Sequence, residues 1–140
     1  MDRRSPARFA VWFWPVAVAA MICFASHRPK LGGGSWFRNS DKVVHFAVYG
    51  LLGTLACRPA RTWQGAALAV LVVSAFGATD EWHQSFVPGR SAELDDWVAD
   101  TAGAACAAVL YVRWTWYRRQ LERVLPWPTR YGAAPASRET

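Results

Sequence analysis

TWQGAALAVLVVSAFGAT, residues 62–79, is a run of 18 residues without an ionisable side chain. A helix of this length extends about 27 Å, close to the roughly 30 Å of a bilayer hydrocarbon core. Its centre, LAVLVV at 68–73, offers no polar face at helical spacing, as a surface helix of a soluble bundle would need. We therefore expect a transmembrane helix here, and keep a soluble four-helix bundle as the alternative.

Three further segments, residues 9–25, 43–57 and 97–112, are almost as apolar, with His45 and Asp100 among the few exceptions. The pattern predicts an all-α transmembrane bundle of about four helices within residues 1–125, with a short outer loop or helix between helices three and four. Residues 126–140, rich in Pro and Gly, predict a short disordered tail. Basic residues before the first segment and small residues at its end also fit a cleaved signal peptide, which would leave three spans.

Basic residues lie unevenly at the two ends of these segments. One side has nine, Arg3, Arg4, Arg8, Arg58, Arg61, Arg113, Arg118, Arg119 and Arg123, and the other has five, Arg28, Lys30, Arg38, Lys42 and Arg90. Because Lys and Arg are retained on the cytoplasmic side, we expect a multi-pass membrane protein with both termini cytoplasmic. The net charge of +6 then indicates membrane lipids as partners rather than nucleic acid.

Acidic residues are concentrated at the opposite, outer side. Six of the ten lie between residues 80 and 100, namely Asp80, Glu81, Glu93, Asp95, Asp96 and Asp100. Asp41, His45 and Tyr49 are spaced four residues apart, as are Asp80 and Gln84, and Asp96 and Asp100, so each set lies on one helix face. We expect these faces to meet in one polar cavity that opens outward between helices two, three and four.

Individual side chains in this region suggest roles. Asp100 lies one turn inside a span, where an ionisable group normally faces a partner or a wet cavity; a structural hydrogen bond is the alternative. Asp41 is placed to orient the His45 imidazole. The turn signal Pro88-Gly89 directs Arg90 toward the carboxylates, either as an internal ion pair or as a bidentate holder of an anionic group.

Ser91, just after this turn, is expected to cap helix four, with Glu93 in the first helical turn. That position makes Glu93 a poor catalytic candidate.

Three motifs resemble the VanZ-like family of small bacterial membrane proteins: DKVVHFxxY at 41–49, DExxQxFxPGR at 80–90 and DWVADTAG at 96–103. The resemblance implies an integral membrane protein whose namesake is linked to resistance against the glycopeptide teicoplanin. Many relatives carry Asn where this chain has Asp100, so the resemblance leaves open whether that position must be charged.

Three functions fit these residues. A membrane enzyme would act on a lipid-linked cell-wall precursor or another envelope substrate at the outer leaflet, with catalytic Asp80, Glu81, His45 and Arg90 and substrate-binding Asp41, Tyr49, Gln84, Asp96 and Asp100. The chemistry would use Asp80 or Glu81 as general acid or base, His45 as proton relay and Arg90 as clamp. Alternatively, a binding module would sequester a glycopeptide, lipid or precursor without turnover. In a transporter Asp100 and His45 would carry protons, and in a structural subunit they would hold the helices together.

A metal-assisted version of the enzyme would draw ligands from Asp80, Glu81, His45 and Asp96. No compact ligand motif such as HExxH supports it, so neither a metal nor another cofactor is predicted. The oligomeric state is not predicted.

Overall fold

The computed structural model describes residues 7–29, 39–59 and 62–125, and every regular element within them is a helix. The helices are α1 (Ala7–Ser26), α2 (Ser40–Cys57), α3 (Trp63–Gln84), α4 (Leu94–Arg113) and α5 (Thr115–Val124). The first four form the expected all-α bundle. The ten-residue α5 is an addition on the basic C-terminal flank. The predicted disordered tail at 126–140 lies outside the described residues.

One described helix, α3, is long and apolar enough to cross a membrane, and the apolar part of α1, Val11–Ser26, is shorter. Only 28% of the apolar window in α3 is buried inside the protein. Leu68, Leu71 and Val72 are each at least 60% exposed, and other large apolar side chains stand outward on α1, α2 and α4. Extended apolar surface of this kind is what a lipid-facing bundle presents.

The bundle is organised around close packing of α4 against α2, with α3 packed against both. A Cβ built on Gly103 would lie 2.1 Å from the Phe46 carbonyl oxygen, and one built on Gly53 would lie 2.8 Å from the Ala104 Cα. Only glycine allows the two backbones to approach this closely, as small-residue faces do in lipid. The small residues on the facing sides of these two helices therefore bring their polar ends together.

The connection between α3 and α4 begins with the predicted turn. The Arg90 amide donates to the Val87 carbonyl at 3.1 Å, and Gly89 has φ of 77°, the left-handed conformation that glycine adopts without strain. The predicted cap is wrong, because α4 begins at Leu94 and its N-cap residue is Glu93. Ser91, three residues before the first residue of the helix, instead donates its hydroxyl to the Glu93 carboxylate at 3.4 Å.

The end of the bundle near the C-terminus of α2 is closed by α5. Arg58, 2% exposed, donates to the Glu122 carboxylate at 3.2 Å and to the Leu125 carbonyl. The Tyr111 hydroxyl donates to the same carboxylate at 2.9 Å. At the other end, α1 and α3 finish while α2 and α4 begin. We call this second end the polar end.

Candidate functional site

An imidazole bonded to a buried carboxylate lies at the centre of the polar end. His45 Nδ1 donates to Asp100 Oδ1 at 2.9 Å, and Asp100 is fully buried. The orienting carboxylate is thus Asp100 rather than the predicted Asp41. The reason is that α4 packs against the His45 face of α2 and brings Asp100 level with the ring, whereas Asp41 lies a turn nearer the surface, with its side chain 40% exposed.

A second acidic residue of α4 lies one turn above. Asp96 Oδ1 accepts from Lys42 Nζ at 2.7 Å, and its Oδ2 lies 3.8 Å from His45 Nε2. Lys42 also donates to Glu93 Oε2 at 3.1 Å. The Asp96 carboxylate, and after it that of Glu93, raises the pKa of Lys42, just outside the apolar segment of α2, well above its usual value.

Lys42 and Glu93 were not predicted as site residues. Lys42 lies three residues before His45 in α2, and this spacing indicates that the two side chains share a helix face.

Glu81 faces the same space from α3. It is 6% exposed, and its Oε2 accepts the backbone N–H of Glu93 at 2.8 Å. Its Oε1 is buried and has no hydrogen-bond partner within the described residues. Three potential metal-ligand atoms, one each from His45, Glu81 and Asp96, lie within 4.8 Å of one another. These three residues with Asp100 are called the His45 cluster below.

Asp80, next to Glu81 in sequence, belongs to a different set of contacts. Its Oδ2 accepts from three side chains, Ser26 at 2.8 Å, Gln84 at 3.1 Å and Tyr49 at 3.2 Å. We call these four residues the Asp80 network. It joins the ends of α1 and α3 to the middle of α2, and Ser26 is a member that sequence spacing did not indicate. An oxygen with three donors is already satisfied, which suits a structural role.

Arg90 fixes the loop between α3 and α4 to the end of α1. Its guanidinium donates to Gln84 Oε1 at 3.0 Å and to the carbonyls of Arg28 at 3.1 Å and Ala25 at 3.3 Å. Ala25 lies in the last turn of α1 and Arg28 two residues beyond its end, where backbone carbonyls commonly accept from basic side chains. Arg90 therefore forms no ion pair with a described carboxylate, and its donors are engaged by backbone and amide oxygens.

Tyr49 connects the two sets. Its ring stacks on that of His45, with centroids 6.3 Å apart and planes 5° from parallel, while its hydroxyl reaches Asp80. Gly77 of α3 makes room behind them, because a Cβ there would lie 3.0 Å from Asp100 Oδ2 and 3.3 Å from the Tyr49 ring. An oriented imidazole whose Nε2 faces carboxylate oxygens can accept a proton or ligate a cation.

Comparison with known proteins places this site within a matched region. The family model described as VanZ/LLP1 matches residues 16–116, which include the whole His45 cluster and the whole Asp80 network. No curated protein and no solved structure matches the chain.

Proposed function

This chain belongs to the VanZ/LLP1 family, and we propose that it is a multi-pass protein of the bacterial inner membrane that acts on a lipid-linked cell-envelope substrate at its polar end. The observation that carries this proposal is the buried His45 cluster, which includes a carboxylate oxygen of Glu81 without a partner. Buried ionisable groups at the end of a membrane bundle are costly and normally functional. The outward-facing apolar surface of α3, with 28% of its apolar window buried inside the protein, supports a substrate that stays in the membrane.

The roles follow from the contacts. His45 and Glu81 are the groups that act on the substrate, through His45 Nε2 and Glu81 Oε1, while Asp100 holds the imidazole and the Glu93 backbone N–H holds the Glu81 carboxylate. Asp41, half-exposed at the rim, is placed to bind hydrogen-bond donors of a headgroup. We assign positioning, rather than acid–base chemistry, to the saturated Asp80 network and to Arg90.

We propose that the polar end faces outward and that both termini are cytoplasmic. In the sequence, nine basic residues flank the apolar segments on the side of the two termini and five on the other side, which supports this orientation. A cysteine at exposed Ser91, in a chain whose three native cysteines are replaced by alanine, should react with an impermeant maleimide in intact cells. Labelling only after lysis would invert the topology.

The function is tested in cells that lack the chromosomal copy and express equal membrane levels of wild type, Glu81→Gln or Asp95→Asn. Asp95 provides the control, because it is an exposed acid in the same region and contacts neither set. We expect wild type and Asp95→Asn to alter teicoplanin susceptibility and the composition of extracted envelope lipids, and Glu81→Gln to lose both effects. Full activity of Glu81→Gln would refute the assignment of the site, and altered susceptibility with unchanged lipids would indicate binding without turnover.

A further inference from the structure

We infer that the His45 cluster binds one divalent transition-metal ion, best matched by zinc, through His45, Glu81 and Asp96. The inference rests on the proposed function only in placing the chemistry at this cluster. These residues form no metal-binding sequence motif, because they come from three different helices and are 36 and 15 residues apart along the chain. They are adjacent only once α2, α3 and α4 pack.

The distances suit a shared ion. One ligand atom from each residue lies within 4.8 Å of the other two, and His45 Nε2 is 3.8 Å from Asp96 Oδ2. Two ligands at the usual zinc distances in a tetrahedron lie about 3.4 Å apart. The imidazole and carboxylate are therefore too far apart for a hydrogen bond with each other and within a few tenths of an ångström of the separation that a common ion requires.

Each ligand is held by a second contact made through its other polar atom. His45 Nδ1 donates to Asp100, Asp96 Oδ1 accepts from Lys42, and Glu81 Oε2 accepts from a backbone amide. The buried carboxylate behind the imidazole is the arrangement that fixes the tautomer of a metal-binding histidine with Nε2 available. Outer contacts of this kind orient ligands before the ion arrives.

An independent observation points to a ligand in this space. Glu81 is 94% buried, since 6% of its surface is exposed, yet its Oε1 has no hydrogen-bond partner within the described residues. A buried carboxylate oxygen without a donor is unfavourable and rare in folded proteins. A cation coordinated by this carboxylate removes the deficit without moving any helix.

The ligand chemistry selects the type of ion. One imidazole nitrogen and two carboxylates are three protein ligands, the number that catalytic zinc sites use when a fourth position is left for water or substrate. Imidazole disfavours Mg²⁺ and Ca²⁺, which prefer oxygen alone. A bound cation would also allow an anionic headgroup to approach carboxylates that otherwise repel it, and His45 would then serve as a ligand rather than as a proton carrier.

Zinc binding by the full chain tests the inference directly. The protein is purified in detergent with any affinity tag removed, and Zn²⁺ is titrated in competition with a chromogenic chelator. We expect one Zn²⁺ per chain, at least a tenfold loss of affinity in His45→Gln and in Glu81→Gln, and wild-type affinity in the matched control His83→Gln. This control is needed because exposed His27 and His83 lie 3.3 Å apart, ring nitrogen to ring nitrogen, and offer an adventitious site.

Several outcomes would overturn the inference: loss of binding in His83→Gln with retention in His45→Gln, equal affinity for Mg²⁺, or no binding by wild type. Should the variants fail to fold, Co²⁺ added to wild type gives a second reading. Visible absorption of four-coordinate Co²⁺, displaced by Zn²⁺, supports the site, and its absence overturns it. If the wild-type protein binds no zinc but Glu81→Gln still abolishes the effects in cells, the metal site is refuted and the proposed function stands.

Discussion

Replacing Gly103 by alanine is predicted to separate α2 from α4 and to disturb the His45 cluster that they form. The new Cβ would lie 2.1 Å from the carbonyl oxygen of Phe46. A carbon and a carbonyl oxygen approach to about 3.3 Å without repulsion, so the helices must move apart by about 1 Å. The contact is with backbone, and no side-chain rotation can relieve it.

The magnitude is set by two opposing effects. Overpacking costs up to about 3 kcal/mol when neighbours must shift, and we take the upper end because the atom that is met belongs to a helix backbone. Alanine regains about 1 kcal/mol of helix propensity over glycine. We therefore expect Gly103→Ala to lower the free energy of unfolding by about 2 kcal/mol.

The measurement is unfolding in mixed micelles, with helix content followed by circular dichroism as a denaturing detergent is added. Gly50→Ala is the matched control, because its Cβ would meet nothing closer than 3.3 Å and the same two helices are involved. We expect the control to stay within about 1 kcal/mol of wild type. Equal stability of Gly103→Ala and Gly50→Ala would refute the close approach, and unchanged zinc affinity in a destabilised Gly103→Ala would refute its link to the site.

Three further predictions concern other contacts. Gly89→Ala should destabilise the protein by about 1–2 kcal/mol in the same unfolding assay, because its φ of 77° is unfavourable for a residue with a Cβ; an unchanged midpoint would contradict the turn. Glu122→Gln should lower the free energy of unfolding by about 1–3 kcal/mol, because it weakens the hydrogen bonds to buried Arg58. The control Arg123→Gln, at an exposed position, should change it by no more than about 0.5 kcal/mol. Equal effects of the two substitutions would contradict the closure of this end by α5. Asp100→Ala should weaken zinc binding about 10–100-fold, because the imidazole loses the acceptor that orients it. Asp100→Asn keeps such an acceptor and should weaken zinc binding less. A larger loss of zinc affinity in Asp100→Asn than in Asp100→Ala would contradict this orienting role.

Apolar runs and helical spacing were enough to predict the bundle. Residues 43–57, 63–79 and 97–112 lie within helices of the structure, and Thr62 is the N-cap of α3, because hydrophobic length is a local property of the sequence. The continuation of α3 to Gln84 follows from the same periodicity, although its apolar run ends at Thr79. The separate helix α5 was not predicted, since its polar, basic sequence resembles an ordinary flank of a span.

Most residues at the polar end could be predicted from the sequence, apart from Lys42, Glu93 and Ser26, but their pairing could not. Spacing placed Asp80 and Glu81 about 100° apart around one helix, and this angle sends Glu81 toward α4 and Asp80 toward α1 and α2. Which carboxylate reaches His45 depends on the register between α2 and α4. That register is set by backbone contact at Gly103 rather than by any local pattern, so Asp41 was the nearer choice in sequence and the wrong one.

Nitrogen NMR of the three labelled histidines in detergent-solubilised wild type tests the central claim most directly. We predict that His45 carries its proton on Nδ1, facing Asp100, and that one equivalent of Zn²⁺ shifts the His45 Nε2 signal while the signals of His27 and His83 stay unchanged. A shift confined to His27 and His83, or a His45 proton on Nε2, would contradict it.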